Sequence, residues 1–281
     1  MPDFSIPSPY PRPLIDIGVN LTNSSYQQDC DEVIQRAFTT GLSHLIITGT
    51  NIIESQQAIT IAQHYPNQLF TTAGIHPHHA KHFDSNSRNQ LSQLAQQTPV
   101  KAIGECGLDF NRMFSTQEEQ IKAFEAQIEL AITLQLPLFL HERDAHKTQC
   151  EMLHSYRDQL PKAVIHCFTG TKQQAFHYLD LGLSLGMTGW ICDERRGQHL
   201  HEFIGAIPLD RLMIETDSPY LMPRVKPKPK LASSRRNEPC TLPYVLLEIA
   251  KHSSHNIEAI AAATTQNAID FFQLEGAGRV S

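Results

Sequence analysis

Four residues able to hold a metal ion or move a proton each stand at the downstream end of a short apolar run. They are Glu105 in VKAIGECGLDF (100–110), His141 in LPLFLHERD (136–144), His166 in KAVIHCFTG (162–170) and Asp217 in RLMIETDSPY (211–220). Each has an ordinary use by itself: a carboxylate capping a loop, a histidine satisfied in a core, or an aspartate opening a turn before Ser-Pro. Together they have the layout of a metal site at the mouth of a parallel β-barrel, where the carboxyl ends of the strands converge on one face. Two imidazoles and one carboxylate from neighbouring strands make a three-ligand set with positions left open for water, the form a catalytic site takes. Asp217, after the last run, is placed to serve as general base or as a second-metal ligand.

Other polar residues surround this set. His76 and His78 lie in GIHPHHA, where His76 is a candidate for contact with a substrate phosphate or for proton donation. Arg143 follows His141 and is a candidate phosphate clamp, since one guanidinium can grip two phosphate oxygens. From Ser218 to Asn237 there is no acidic residue, while Arg224, Lys226, Lys228, Lys230, Arg235 and Arg236 all fall there. In a chain of formal net charge -6 this tract is a local asymmetry. It makes Arg235 and Arg236 candidates for binding a polyanion backbone. Trp190 and Tyr220 are candidates to stack a terminal base.

The elements that must carry these residues alternate. Strands are expected at 14–19, 44–49, 69–75, 100–104, 137–141, 163–166, 183–187 and 212–216, each an almost continuous apolar run, as in strands buried on both faces. Helices are expected at roughly 27–40, 52–65, 87–97, 116–135, 145–160, 172–181, 198–206, 242–252 and 256–272. The helix over 116–135 opens on a capping-box pattern, Thr116 with Glu119. Eight βα alternations predict a (β/α)8 TIM barrel in one domain over 14–281, preceded by a loose Pro-rich arm over 1–13. No Gly-rich dinucleotide motif follows the first strand.

The bulk numbers narrow the function. A length of 281 residues suits one such barrel, 19% charged residues is ordinary, and the net negative charge excludes a globally basic nucleic-acid binder. Six cysteines include no C-x-x-C pair, so reduced thiols are expected, not disulfides or a thiolate metal site. No stretch reaches the ~18 apolar residues of a membrane span, and the N-terminus lacks an apolar signal region. A cytoplasmic protein is expected.

The motifs IGECGLDF, HERDA, HCFTGT, GWICDERRG, LMIETDSPYLMPR and SSRRNEP resemble the TatD family of metal-dependent deoxyribonucleases over about residues 14–272. That resemblance implies a TIM barrel of the amidohydrolase type. It also implies hydrolysis of phosphodiester bonds from the 3′ end of single-stranded DNA, and of RNA, by a monomer in DNA repair or nucleic-acid degradation. The implied cofactor is Mg2+, with Mn2+ or Zn2+ as substitutes. The family's ligand positions fall on Glu105, His141 and His166, with Asp217 also at the metal centre. The first-strand D-x-H-x-H of the wider family reads Asp16-Ile17-Gly18-Val19-Asn20 here, so both histidines are replaced. One firm metal site is expected, and a second only weakly. The competing readings are a metal-dependent esterase, such as an aminoacyl-tRNA deacylase, and a non-catalytic nucleic-acid-binding barrel.

Overall fold

A computed structural model describes residues 13–233 and 235–274. All of the expected arm except Pro13 lies outside the described residues. In chain order the regular elements are β1 (Leu14–Val19), α1 (Cys30–Thr39), β2 (Leu42–Ile47), α2 (Ile52–Gln63), β3 (Leu69–Ala73), α3 (Ser85–Ala95), β4 (Val100–Asp109), α4 (Gln117–Leu134), β5 (Leu138–Arg143), α5 (His146–Ser155), β6 (Ala163–Ile165), α6 (Lys172–Asp180), β7 (Ser184–Met187), α7 (Gln198–His201), β8 (Leu212–Ile214), α8 (Leu242–Lys251) and α9 (Ile257–Phe272). The eight strands form one sheet in sequence order, β1 through β8. The backbone after β8 meets the end of β1 in a parallel bridge, Val19 with Ser218. This is the expected (β/α)8 barrel fold. Every residue of β1, β3, β6, β7 and β8 is buried, which is why those runs are apolar without alternation.

The chain divides into two compact units. One holds residues through Ile46, Cys167–Lys172, and the chain from Gly186 onward; the other holds Ile47–His166 and Gln173–Leu185. Within the second unit, β4 is longer than its apolar run suggested. It continues past Gly104 to Asp109 and pairs in parallel with β5, Gly104 opposite Phe139 and Gly107 opposite His141. Gly104 and Gly107 take φ of +148° and +132°, and a Cβ on either would collide with the carbonyl oxygen of Phe139 or His141. Only glycine tolerates both conditions. The register shifts between Gly104 and Cys106, so Glu105 sits at a bulge inside the strand, not at its end.

Helix α4 begins where its capping box predicts, with Thr116 Oγ1 accepting from Glu119 N at 3.3 Å and Glu119 Oε2 from Thr116 N at 2.7 Å. Ala123, Phe124, Ile128 and Ala131 are buried along its inner stripe. Its buried face also carries Gln120 and Gln127, which periodicity passes over. The helix expected over 198–206 is only four residues of α-helix, followed by a 3-10 turn at Ile204–Ala206. No helix among the described residues is long and apolar enough to cross a membrane.

In the first unit, Glu238 is fully buried and takes two bonds from Arg36, Nε at 2.7 Å and Nη2 at 3.1 Å. Arg236 lies over the Tyr26 ring at 4.7 Å and donates to Asp29, Nη1 to Oδ1 at 2.8 Å. Hydrogen bonds from Arg236, outweighing a small desolvation cost, hold the Asp29 carboxyl below its ordinary value. A depressed folded value means the contribution is fully present above the unfolded carboxylate pKa and is lost as pH falls through the folded value. Asp29→Asn should therefore lower stability by about 1 kcal/mol near neutral pH. The gap should close towards about pH 3, below the unfolded value of ~3.9. Urea midpoints for the two proteins at both pH values measure it.

Candidate metal centre

Three imidazoles in the second unit converge on a single carboxylate oxygen. Glu105 Oε1 lies 2.8 Å from His166 Nε2, 2.9 Å from His141 Nδ1 and 3.3 Å from His76 Nε2. Glu105, His76 and His166 are buried and His141 is half-buried. The ligand atoms of His76, Glu105 and His141 all lie within 4.8 Å of one another. A second carboxylate stands on the same side of β4: Asp109 Oδ2 is 2.7 Å from His78 Nε2 and 3.4 Å from His141 Nε2. Glu105, Gly107 and Asp109 are alternate residues of one strand, so they share a face.

Burial by itself pushes the Glu105 carboxyl up. The charges of His166 and His76 and the hydrogen bonds of His141 and His166 outweigh it, and the group is held well below the usual range. Burial lowers His76 to about 4, with Glu105 pulling the other way. At His141 burial is overcome by hydrogen bonds to Asp109 and Glu105, and the imidazole is raised. His141 Nε2 is nonetheless a buried nitrogen with no partner in good hydrogen-bond geometry. One carboxylate oxygen crowded by three imidazole nitrogens, with an orphaned nitrogen beside it, fits a divalent cation. The donors are those of a metal site with protein ligands on one side.

Buried amides hold this centre's backbone. Gln127 on α4 accepts from Ile75 N at 2.7 Å and donates to Ile75 O at 3.1 Å, which fixes the residue before His76. Seven residues earlier, Gln120 makes the same pair of bonds to Asp109, N at 2.8 Å and O at 2.9 Å. Gln149 on α5 accepts from Leu108 N at 3.1 Å. His76 itself accepts from His78 N through Nδ1 at 3.1 Å, which orients the ring with Nε2 towards Glu105. Asp109 and the two glutamines of α4 were not among the expected residues. The signal for Asp109 was the period of two from Glu105, and the signal for the glutamines was a polar residue on an otherwise apolar helix stripe.

The other expected residues lie as follows. Arg143 ends β5 and is exposed, as is Arg235. Arg236 is not available to a phosphate, correcting the expectation: Asp29 and Glu238 take its guanidinium, and its side chain is 10% exposed. Arg224 is likewise paired, with Glu194 at 3.0 Å. Asp217 belongs to the first unit, half-buried, with φ of 51°. There Asn20 Nδ2 donates to Asp217 Oδ1 at 2.9 Å, so the residue in place of the second first-strand histidine holds this aspartate. Asp16 is fully buried and accepts from Thr216 N at 2.9 Å and Thr216 Oγ1 at 2.6 Å, latching β1 to the chain after β8. Glu215, also fully buried, accepts from the backbone N of Cys167. Trp190 is covered by the Arg196 guanidinium at 4.3 Å, whereas Tyr220 is exposed. Phe114 is 57% exposed and packs edge-on against His78 with ring centroids 4.8 Å apart.

With this geometry in place, comparison with known proteins identifies the group. Residues 15–273 match the TatD-related DNase family. The chain belongs to that family. A protein of Salmonella typhimurium named 3′-5′ ssDNA/RNA exonuclease TatD is 49% identical over 93% of this chain and 99% of its own. One of the same name from Citrobacter rodentium is 50% identical over 92% of this chain and 97% of its own. The crystal structure of a TatD family hydrolase from Entamoeba histolytica, 28% identical, superposes with a TM-score of 0.83 over 94% of this chain and 99% of its own.

Gln127→Met keeps the volume of the side chain and strands two buried backbone groups at Ile75. It should cost about 1–3 kcal/mol of stability. Denaturant melts measure the cost, and a variant as stable as the parent would show that the amide does not hold this loop.

Proposed function

We propose that the chain is a metal-dependent exonuclease that releases nucleotides from the 3′ end of single-stranded DNA, and of RNA. The observation that carries this reading is the convergence of three imidazole nitrogens on Glu105 Oε1, in a chain whose relatives bear that name. Glu105, His141 and His166 would hold the ion, with His76 beside them. When bound, a divalent ion polarises a phosphoryl oxygen and lowers the pKa of its water. Two imidazoles and a carboxylate favour zinc by softness. Substrate phosphates add the hard oxygens that magnesium requires, and we assign Mg2+, with Mn2+ or Zn2+ able to substitute. A single firm ion follows from the first strand. Gly18 offers no side chain, and Asn20 directs its amide nitrogen at Asp217.

The chain's own groups do the rest. The depressed Glu105 keeps its negative charge across the working pH range. Asp109 orients His78 and meets His141, in the manner of carboxylates that steer ligating histidines. Asp217 takes a proton from the attacking water, a role resting on its place after the last strand. Arg143 and Arg235, both exposed, hold flanking phosphates. Phe114 offers a face to an unstacked terminal base, which favours single strands. We read the protein as a cytoplasmic monomer.

End-labelled single- and double-stranded DNA, with and without chelator, tests the reading. Mononucleotides should leave the 3′ end, single strands first, and Mg2+ should restore the chelated enzyme. Glu105→Ala should lower kcat/KM by at least about a hundredfold. Persistent nuclease activity in that variant would remove the metal assignment. Release of a free amino acid from charged tRNA with the RNA intact would replace the nuclease with an esterase.

Substrate grip has a separate readout. Each of Arg143→Ala and Arg235→Ala should reduce the dependence of log K on log salt for single-stranded DNA by roughly 0.7. A slope unchanged in both would deny them phosphate contacts.

A further inference from the structure

The first unit carries another group of ligand atoms, which the nuclease reading does not use. His201 is the last residue of α7, Glu248 lies in the last turn of α8, and His252 caps that helix. A spacing of four puts Glu248 and His252 on one face. Glu248 Oε1 is 3.3 Å from His252 Nε2 and 3.7 Å from His201 Nε2. All three residues are half-buried, and their ligand atoms lie within 4.8 Å of one another. The two imidazoles are stacked, with centroids 3.7 Å apart and planes 9° from parallel. Two protonated rings at that separation would repel each other. The stack therefore selects at least one neutral imidazole, the state that ligates metals.

A second observation points the same way. His201 Nε2 lies 2.8 Å from the carbonyl oxygen of Ile191. Metal-ligating histidines typically donate their other ring N–H to such an acceptor, which fixes the tautomer and aims the remaining lone pair. With Nε2–H on Ile191, the ligating atom of His201 is Nδ1. We propose that His201, Glu248 and His252 form a second cation site, for a borderline divalent ion such as Zn2+. Two nitrogens and one carboxylate oxygen suit zinc, nickel or copper better than magnesium, and water completes the shell. The competing charge is Lys251, whose Nζ is 2.7 Å from Glu248 Oε2. Its side chain is 63% exposed, and an exposed pair of this kind gives way at little cost. A bound ion would tie the end of α7 to the end of α8.

Because the Glu105 centre also suits zinc, the test uses the full chain carrying Glu105→Ala. Native mass spectrometry after zinc titration should count one ion fewer when His201→Ala and His252→Ala are added. Zinc should raise the melting temperature of the Glu105→Ala protein by roughly 5 °C at a hundredfold excess over Kd, and this shift should vanish in the triple variant. Glu248→Gln, which preserves packing, should weaken zinc affinity at least tenfold by competition with a chromogenic chelator. An equal ion count, a shift that survives in the triple variant, or unchanged affinity in Glu248→Gln would each overturn the site.

Discussion

Glu105 Oε1 is one oxygen facing three imidazoles, and much of the second unit is arranged to make that possible. A buried carboxylate is costly unless it is paired or coordinated. Here the pairing comes from residues 29, 36 and 61 positions away along the chain, brought in by the ends of β3, β5 and β6. The charge is secured by His166, His76 and His141 against the cost of burial. The same contacts would be the scaffold of a cation site, in which a dication replaces shared protons as the compensating charge.

Holding four side chains to one point requires a rigid backbone, and the chain achieves it with polar groups placed inside the core. Gln120 and Gln127 are one heptad apart on α4, so they face the barrel together and each clamps both backbone groups of a site residue or its neighbour. Gly104 and Gly107 let β4 run close to β5 on either side of the Glu105 bulge. In the first unit the corresponding device is charge: Asp16 clamps Thr216, Asn20 clamps Asp217, and Arg36 with Arg236 surrounds Glu238. The histidines missing from the first strand have thus been replaced by a residue with a different job, orienting an aspartate through an amide.

Some of this was legible in residues alone. Apolar runs of four to six residues, buried on both faces, mark parallel strands, and eight of them in alternation with helices leave little choice of architecture. The capping box at Thr116 placed the start of α4. The strand ends carrying His141 and His166 were visible because an imidazole after an apolar run is chemically conspicuous. By contrast, β4 was read as ending at Gly104, since glycine weakens a strand in isolation; close pairing with β5 reverses that penalty. Arg236 looked like the rest of a basic loop, because a charge run does not disclose which of its members meets a buried carboxylate.

The sequence by itself determined the order of elements, the barrel fold and the short list of residues able to hold an ion, since local periodicity and residue chemistry are properties of neighbouring positions. Only the tertiary structure decided that His76 shares an oxygen with His141 and His166, that Asp109 stands behind His78 and His141, and that Arg236 is spent on Asp29 and Glu238. Those pairings join residues tens to hundreds of positions apart. Distance along the chain carries no information about them until the strands have set their register.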